Sequence, residues 1–176
     1  MPRPTNDQDR LFTRATSDYG AALERLARAY EANDADRQDL LQEIYVALWR
    51  SFTGFDERCS VRTWVYRVAH NVAASHVDRQ ARRRRQEFIS LEEIENRADE
   101  AASRNLARQQ VLSELYGMIR DLAPLDRQVM LAYLEGIDAV STAEITGLSA
   151  SHVATKIHRI KLALSRRFRE GGSDGA

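Results

Sequence analysis

The sequence predicts an all-α protein of two small helical domains joined by an acidic flexible linker, and three observations predict it. Apolar residues recur at spacings of three and four almost throughout, and no segment alternates with the period of a strand. Residues 86–105 lose that periodicity and become acidic and Ala/Asn-rich, as a connector between packed units does. Charge is also segregated, although the chain is neutral overall. Residues 62–85 hold seven arginines against the single acid Asp78, a net charge of +6. Residues 150–169 hold six basic residues and no acid, while residues 87–100 hold six acids against Arg97, a net charge of −5.

The first domain, residues 8–85, reads as three helices. Phe12, Tyr19, Leu23, Leu26 and Tyr30 share one face of the first, which Asn33 and Asp34 close. The second begins near Asp36 and buries Leu40, Leu41, Ile44, Tyr45, Leu48, Trp49 and Phe52. Asp36 and Asp39 in its first turn suit the positive end of the helix dipole, and Thr53-Gly54 breaks it. Ser60 is a suitable N-cap for the third helix, which turns Val61, Trp64, Val65, Val68, Val72 and Val77 inward and runs into Arg82–Arg85.

After the linker, the second domain, residues 106–170, opens with the stripe Val111, Leu112, Leu115, Met118, Ile119 and Leu122. Pro124 suits the first turn of the next helix, which carries Val129, Met130, Leu131, Tyr133 and Leu134 and ends at Gly136. Ser141-Thr142-Ala143-Glu144 matches the capping-box pattern and predicts a short helix ending at Gly147. Ser149 then caps a last helix whose inner face is Val153, Ile157, Ile160, Leu164 and Phe168. Residues 171–176 are expected to form a disordered tail.

Composition narrows the function classes. The 176 residues are 43% apolar, enough for a packed core, and 30% charged, as in a soluble protein. No apolar run approaches the ~18–20 residues that span a bilayer, and MPRPTNDQDR has no apolar leader, so a cytoplasmic location is expected. Cys59 is alone and can form neither an internal disulfide nor a cysteine metal site; a bystander and a reactive thiol both remain open. His70 and His76 are six apart, as are His152 and His158, which places each pair on different faces of a helix and argues against zinc. With no glycine-rich phosphate loop and no nucleophile–base arrangement, neither a cofactor nor an enzyme is expected.

The basic blocks point instead to a polyanion. A solvated charged face explains either block alone. Two of them, each on a helix with its own apolar face, favour nucleic acid, where Lys and Arg gain affinity by releasing counterions. From Ser141 to Arg169 the chain reads as a short helix, a turn at Gly147-Leu148-Ser149 and a longer basic helix. That is the helix-turn-helix arrangement, whose second helix enters the major groove. Its outward positions are Ser151, His152, Thr155, Lys156 and Arg159, while Arg166, Arg167 and Arg169 lie too far along to read bases. An ordinary helical hairpin is the bland alternative. In the first domain, Phe55, Asp56, Arg58 and Cys59 form a loop feeding a helix with Trp64, Tyr66, Arg67 and Asn71. Aromatic rings beside arginines suit unstacked bases, although Trp64 lies on the apolar stripe and fits the core better than a stacking platform.

At these residues the chain resembles a known family. DLLQEIYVALWRSFTGFDERCSVRTWVYRVAHNVAASHVDRQARRRR is similar to the second region of extracytoplasmic-function sigma factors of the sigma-70 family. LAPLDRQVMLAYLEGIDAVSTAEITGLSASHVATKIHRIKLALSRRF is similar to their fourth region. The resemblance covers about residues 10–85 and 106–169, in the family's order. It implies an RNA polymerase sigma factor that binds core RNA polymerase and promoter DNA, and it admits an anti-sigma factor as a further partner. By position, Asp39, Leu40, Gln42 and Glu43 match the stretch that docks on polymerase. Phe55, Asp56, Arg58 and Ser60 match the loop that captures a flipped −10 base, with Arg62, Arg67 and Asn71 on the helix lining that strand. Ser151, His152, Thr155, Lys156 and Arg159 match the helix that reads the −35 element. The acidic linker matches a segment directed toward the polymerase's RNA path. The family's Glu-Ile-Ala run at the start of the fourth region's first reading helix is replaced here, with Thr142 where an apolar residue is usual. A conventional helix-turn-helix regulator that needs no polymerase is the rival reading.

Overall fold

The computed structural model describes residues 6–87 and 105–171. These form seven α-helices: α1 (Asn6–Tyr30), α2 (Asp34–Ser51), α3 (Val61–Glu87), α4 (Asn105–Arg120), α5 (Pro124–Leu134), α6 (Ala139–Thr146) and α7 (Ala150–Gly171). A 3₁₀ turn at Phe52–Gly54 follows α2, and no strand occurs among the described residues. Most of the expected linker and nearly all of the expected tail lie outside the described residues; α3 runs on through Gln86 and Glu87.

Local chemistry fixes the helix ends. The Asn33 side chain accepts hydrogen bonds from Ala35 N at 2.8 Å and Asp36 N at 3.2 Å, so α2 opens at Asp34, two residues before the expected start. Thr63 N donates to Ser60 Oγ at 3.0 Å, the expected cap of α3. Gly147, at φ 76°, ends α6 in the left-handed conformation that only glycine adopts cheaply. The capping box expected at Ser141–Glu144 is not formed. Asp138 caps α6 instead, accepting from Val140 N and Ser141 N, each at 2.9 Å, while the Ser141 hydroxyl donates to the same carboxylate at 2.8 Å. The helix therefore starts at Ala139, because a carboxylate satisfies three donors where the serine hydroxyl would satisfy one.

Leu23 and Leu26 of α1, Leu40, Ile44 and Leu48 of α2, and Val65 and Tyr66 of α3 are almost fully buried and form the centre of one core. The second half of the chain does not keep its apolar surface to itself. Ile119, Leu131, Ala132, Ile137 and Ile145 join that same cluster, so α4–α6 pack directly on α1–α3. A smaller cluster of Val129, Met130, Val153, Ile160 and Leu164 holds α7 onto α5. Three residues expected to face inward are substantially exposed: Val111 at 47%, Leu112 at 39% and Phe168 at 47%. Val111 and Leu112 lie in the first half of α4, and Phe168 lies near the end of α7, where it lines an open groove with Leu115, Met118 and Met130.

At the seam between the halves, Arg127 is only 8% exposed. Its guanidinium stacks 4.9 Å from the Tyr30 ring and donates to the carbonyls of Arg120 and Leu122. A buried cation is tolerable only with such partners, and burial lowers its pKa.

Candidate nucleic-acid interface

The loop after α2 is built outward from its aromatic base. Phe55 is half-buried and meets Phe52 and Trp64 edge to face, with ring centroids 6.1 Å and 5.3 Å away. Trp64 is partly buried. Its indole N–H donates to Ser51 Oγ at 2.9 Å, and the Arg67 guanidinium lies 5.3 Å from its ring centroid. Phe55 therefore anchors the loop, and the exposed apex is Asp56, Glu57 and Arg58. Asp56 is bridged to Arg58 at 3.0 Å, and Glu57 adopts φ 60°, the only left-handed non-glycine backbone among the described residues.

Cys59 leads back into α3, where Arg67 lies 3.0 Å from its sulfur. Asn71 is exposed one turn beyond Arg67 on the same face, as a spacing of four requires. The structure thus gathers Phe55, Asp56, Arg58, Ser60, Arg67 and Asn71 along one end and side of α3. It does not bring Arg62 there. Five residues from Arg67, Arg62 points to another side of the helix and donates to the backbone carbonyl of Glu135.

A groove between α2 and α3 is lined by Asp39, Gln42, Glu43, Val46, Asn71 and Arg79, among others. Glu43 accepts from Arg79 and lies 3.3 Å from His76 Nδ1. Leu40 does not belong to this surface: it is fully buried and packs in the core. Val46, 49% exposed, is the residue that sequence reasoning missed here; its place off the buried stripe of α2 was the available signal.

In the second half, the short helix α6, a turn beginning at Gly147 and the longer helix α7 follow one another. Ser151, His152, Thr155 and Arg159 are exposed on α7. The Thr155 hydroxyl turns back to the Ser151 carbonyl at 3.0 Å. Lys156 is less available, since its ammonium is held 2.5 Å from Asp126 of α5. Farther along, Arg167 pairs with Asp121 at 2.8 Å. Behind this face, the departure at Thr142 has a physical counterpart: the side chain is fully buried and its hydroxyl has no hydrogen-bond partner.

Residues 16–83 match the family model of sigma-70 region 2. The chain is similar to the RNA polymerase sigma factor CnrH of Cupriavidus metallidurans, at 27% identity over 89% of this chain and 85% of that one. It is likewise similar to the sigma-E factor of Haemophilus influenzae, at 26% identity over 96% and 93%. Its fold is similar to that of CnrH in complex with the cytosolic domain of CnrY, with a TM-score of 0.67 at 21% identity over 92% and 90% of the two chains. It also resembles the sigma factor RpoE in complex with the anti-sigma factor NepR from Bartonella quintana, with a TM-score of 0.68 at 16% identity over 90% and 96%.

Proposed function

Because the chain belongs to the extracytoplasmic-function sigma factors of the sigma-70 family, non-enzymatic RNA polymerase subunits that direct transcription initiation, we propose the following division of labour among its residues. Residues 8–85 form the unit that engages core polymerase and the −10 element, and residues 106–170 the unit that reads −35 duplex. Asp39, Gln42 and Glu43, with Val46 beside them, form the polymerase-docking patch. The apex Asp56–Arg58 receives an extruded −10 base. Arg67 and Asn71 follow its strand along α3, and Ser60 holds the helix end in place. Ser151, His152, Thr155 and Arg159 face the major groove of the −35 element, with Lys156 contributing once released from Asp126.

The observation that carries this reading is the pairing, on one chain, of an exposed helix-turn-helix face with an exposed loop set on an aromatic base beside Arg67. A duplex-only reader needs the first and has no use for the second. Extruding a base costs a few kcal/mol, which hydrogen bonds from the loop apex and polymerase contacts together offset. Among the described residues no helix is long and apolar enough to cross a membrane. We place the protein in the cytoplasm with the polymerase, and we add an anti-sigma factor to its partners because the structural neighbour RpoE was captured with one.

Run-off transcription with bacterial core RNA polymerase on fragmented genomic DNA tests this assignment. Discrete transcripts that require the protein are expected, with two shared upstream elements. Absence of transcripts, together with tight duplex binding by the protein alone, would replace it with the conventional regulator.

A further inference from the structure

A recess of about 410 Å³ lies between α1, the start of α2 and α4, and its lining is basic. Arg28 of α1, Arg37 of α2 and Arg120 of α4 line it, against the one carboxylate of Asp34. Arg37 donates to that carboxylate, so the pair is neutral. Arg28 and Arg120 are in no ion pair among the described residues. Arg120 donates instead to the Arg28 carbonyl at 3.1 Å, and the Arg28 guanidinium lies 5.8 Å from the Tyr116 ring centroid. Burial lowers the Arg120 pKa; Arg37 adds to the shift as a like charge, while Asp121 and Glu31 oppose it without cancelling it. Cations grouped in this way repel one another and gain from a bound anion.

We infer that this recess is a small-molecule site for a diphosphate group, free or carried on a nucleotide. Guanidinium chemistry sets the class. Each arginine presents a planar fork of N–H donors that meets phosphate oxygens two at a time. Three forks around one recess exceed what a single phosphate satisfies and suit two linked phosphates. Ser113 and Tyr116 line the same recess and add hydroxyl donors on the α4 side. Shape favours a small anion over the backbone of a duplex. The volume falls in the range of small-ligand sites, about 300–1,000 Å³, and the Arg37 side chain is only 22% exposed. None of these residues belongs to the surfaces assigned above to promoter DNA or polymerase, so the inference stands apart from that assignment.

Isothermal titration calorimetry of the full chain in magnesium-free buffer tests the site, with inorganic pyrophosphate, orthophosphate and ADP as probes. Pyrophosphate should bind, and orthophosphate should bind about tenfold more weakly because it meets fewer forks. Tighter binding of ADP than of pyrophosphate identifies a nucleotide as the carrier; equal or weaker binding identifies the free diphosphate. Orthophosphate binding as tightly as pyrophosphate overturns the diphosphate class, and no binding of pyrophosphate overturns the site.

Variants locate the binding. Arg28→Gln and Arg120→Gln should each weaken pyrophosphate about tenfold, the loss of one charge-assisted partner. If Arg120→Gln loses its helical circular dichroism, Arg28→Gln, at an exposed position, decides alone. The double variant Arg159→Gln with Arg166→Gln removes two exposed charges from α7 and should bind pyrophosphate as the wild type does. An equal loss in that variant, or none in Arg28→Gln, would mean general attraction to a basic surface and would overturn the recess as the site.

Discussion

The Nδ1 of His70 lies 3.1 Å from the Tyr30 hydroxyl, with both side chains buried between α1 and α3. Burial pushes the Tyr30 hydroxyl up to about 12, so it stays protonated. Burial likewise keeps His70 as the neutral imidazole. Its other nitrogen is buried without a partner, and burial lowers its pKa from 6.5 to about 3.

Acid should weaken this fold through His70. The folded pKa is depressed, so the folded protein binds fewer protons than the unfolded chain below pH 6.5. The stabilisation is complete above about 6.5 and is lost as pH falls toward about 3, at up to about 1.4 kcal/mol per pH unit. Urea unfolding at pH 6.5 and pH 5 should show about 2 kcal/mol of this loss in the wild type. His70→Gln keeps a partner for Tyr30 but does not titrate, and should lack it. Parallel pH profiles for the two proteins would remove His70 as the cause.

Thr142→Val should raise stability by about 1 kcal/mol, because it removes a buried hydroxyl with no partner and keeps the shape and helix propensity nearly unchanged. Thermal unfolding reads this directly. Thr142→Ser keeps the hydroxyl and opens a methyl-sized void, so it should move the melting temperature down.

Leu40 and its neighbours should separate folding from docking. Leu40→Ala removes a fully buried side chain and should cost about 2–5 kcal/mol of stability. Asp39→Ala and Gln42→Ala, at exposed positions, should leave the unfolding midpoint nearly unchanged while weakening pull-down of core polymerase. Undiminished polymerase binding by a double Asp39, Gln42 variant would move the docking patch elsewhere.

On α7, Arg159→Ala should lower the slope of log affinity against log salt for −35 duplex by about 1, the loss of one phosphate contact. Lys156→Ala should change the slope less, since the ammonium is already paired with Asp126. A larger effect from Lys156 would mean that the ion pair opens on DNA.

The cap of α6 offers a simple comparison. Asp138→Ala should lower the melting temperature, while Glu144→Ala should barely move it, because Asp138 and not the Ser141–Glu144 box holds the helix start. The reverse order would restore the capping box.

Helical spacing alone located all seven described helices, since periodicity is a repeated signal over many residues. Single contacts were harder to read. At α6 the capping-box motif pointed to Ser141, whereas the cap is Asp138, three residues earlier, which accepts more donors. Leu40 was placed both on the buried stripe and on the docking patch; the apolar side chain follows the stripe. The family resemblance placed Arg62 with Arg67, although five residues turn it to another side of the helix, where it meets the Glu135 carbonyl. Nothing in the spacing could reveal Glu135, whose partner Arg25 is 110 residues away in sequence. Pairings between separate helices are set by packing, which sequence pattern reports only one helix at a time.

The length of α3 has a consequence of its own. At 27 residues it is a rod of about 40 Å, with Arg67 and Asn71 near one end and Arg82 and Arg83 about 22 Å farther along. The helix therefore acts as a ruler whose graduations are side chains. Its calibration is independent of any loop or hinge. Deleting one residue between Asn71 and Arg79 would turn every mark beyond it by about 100° and leave the near marks untouched, so the spacing along α3 tolerates substitution far better than a change in count.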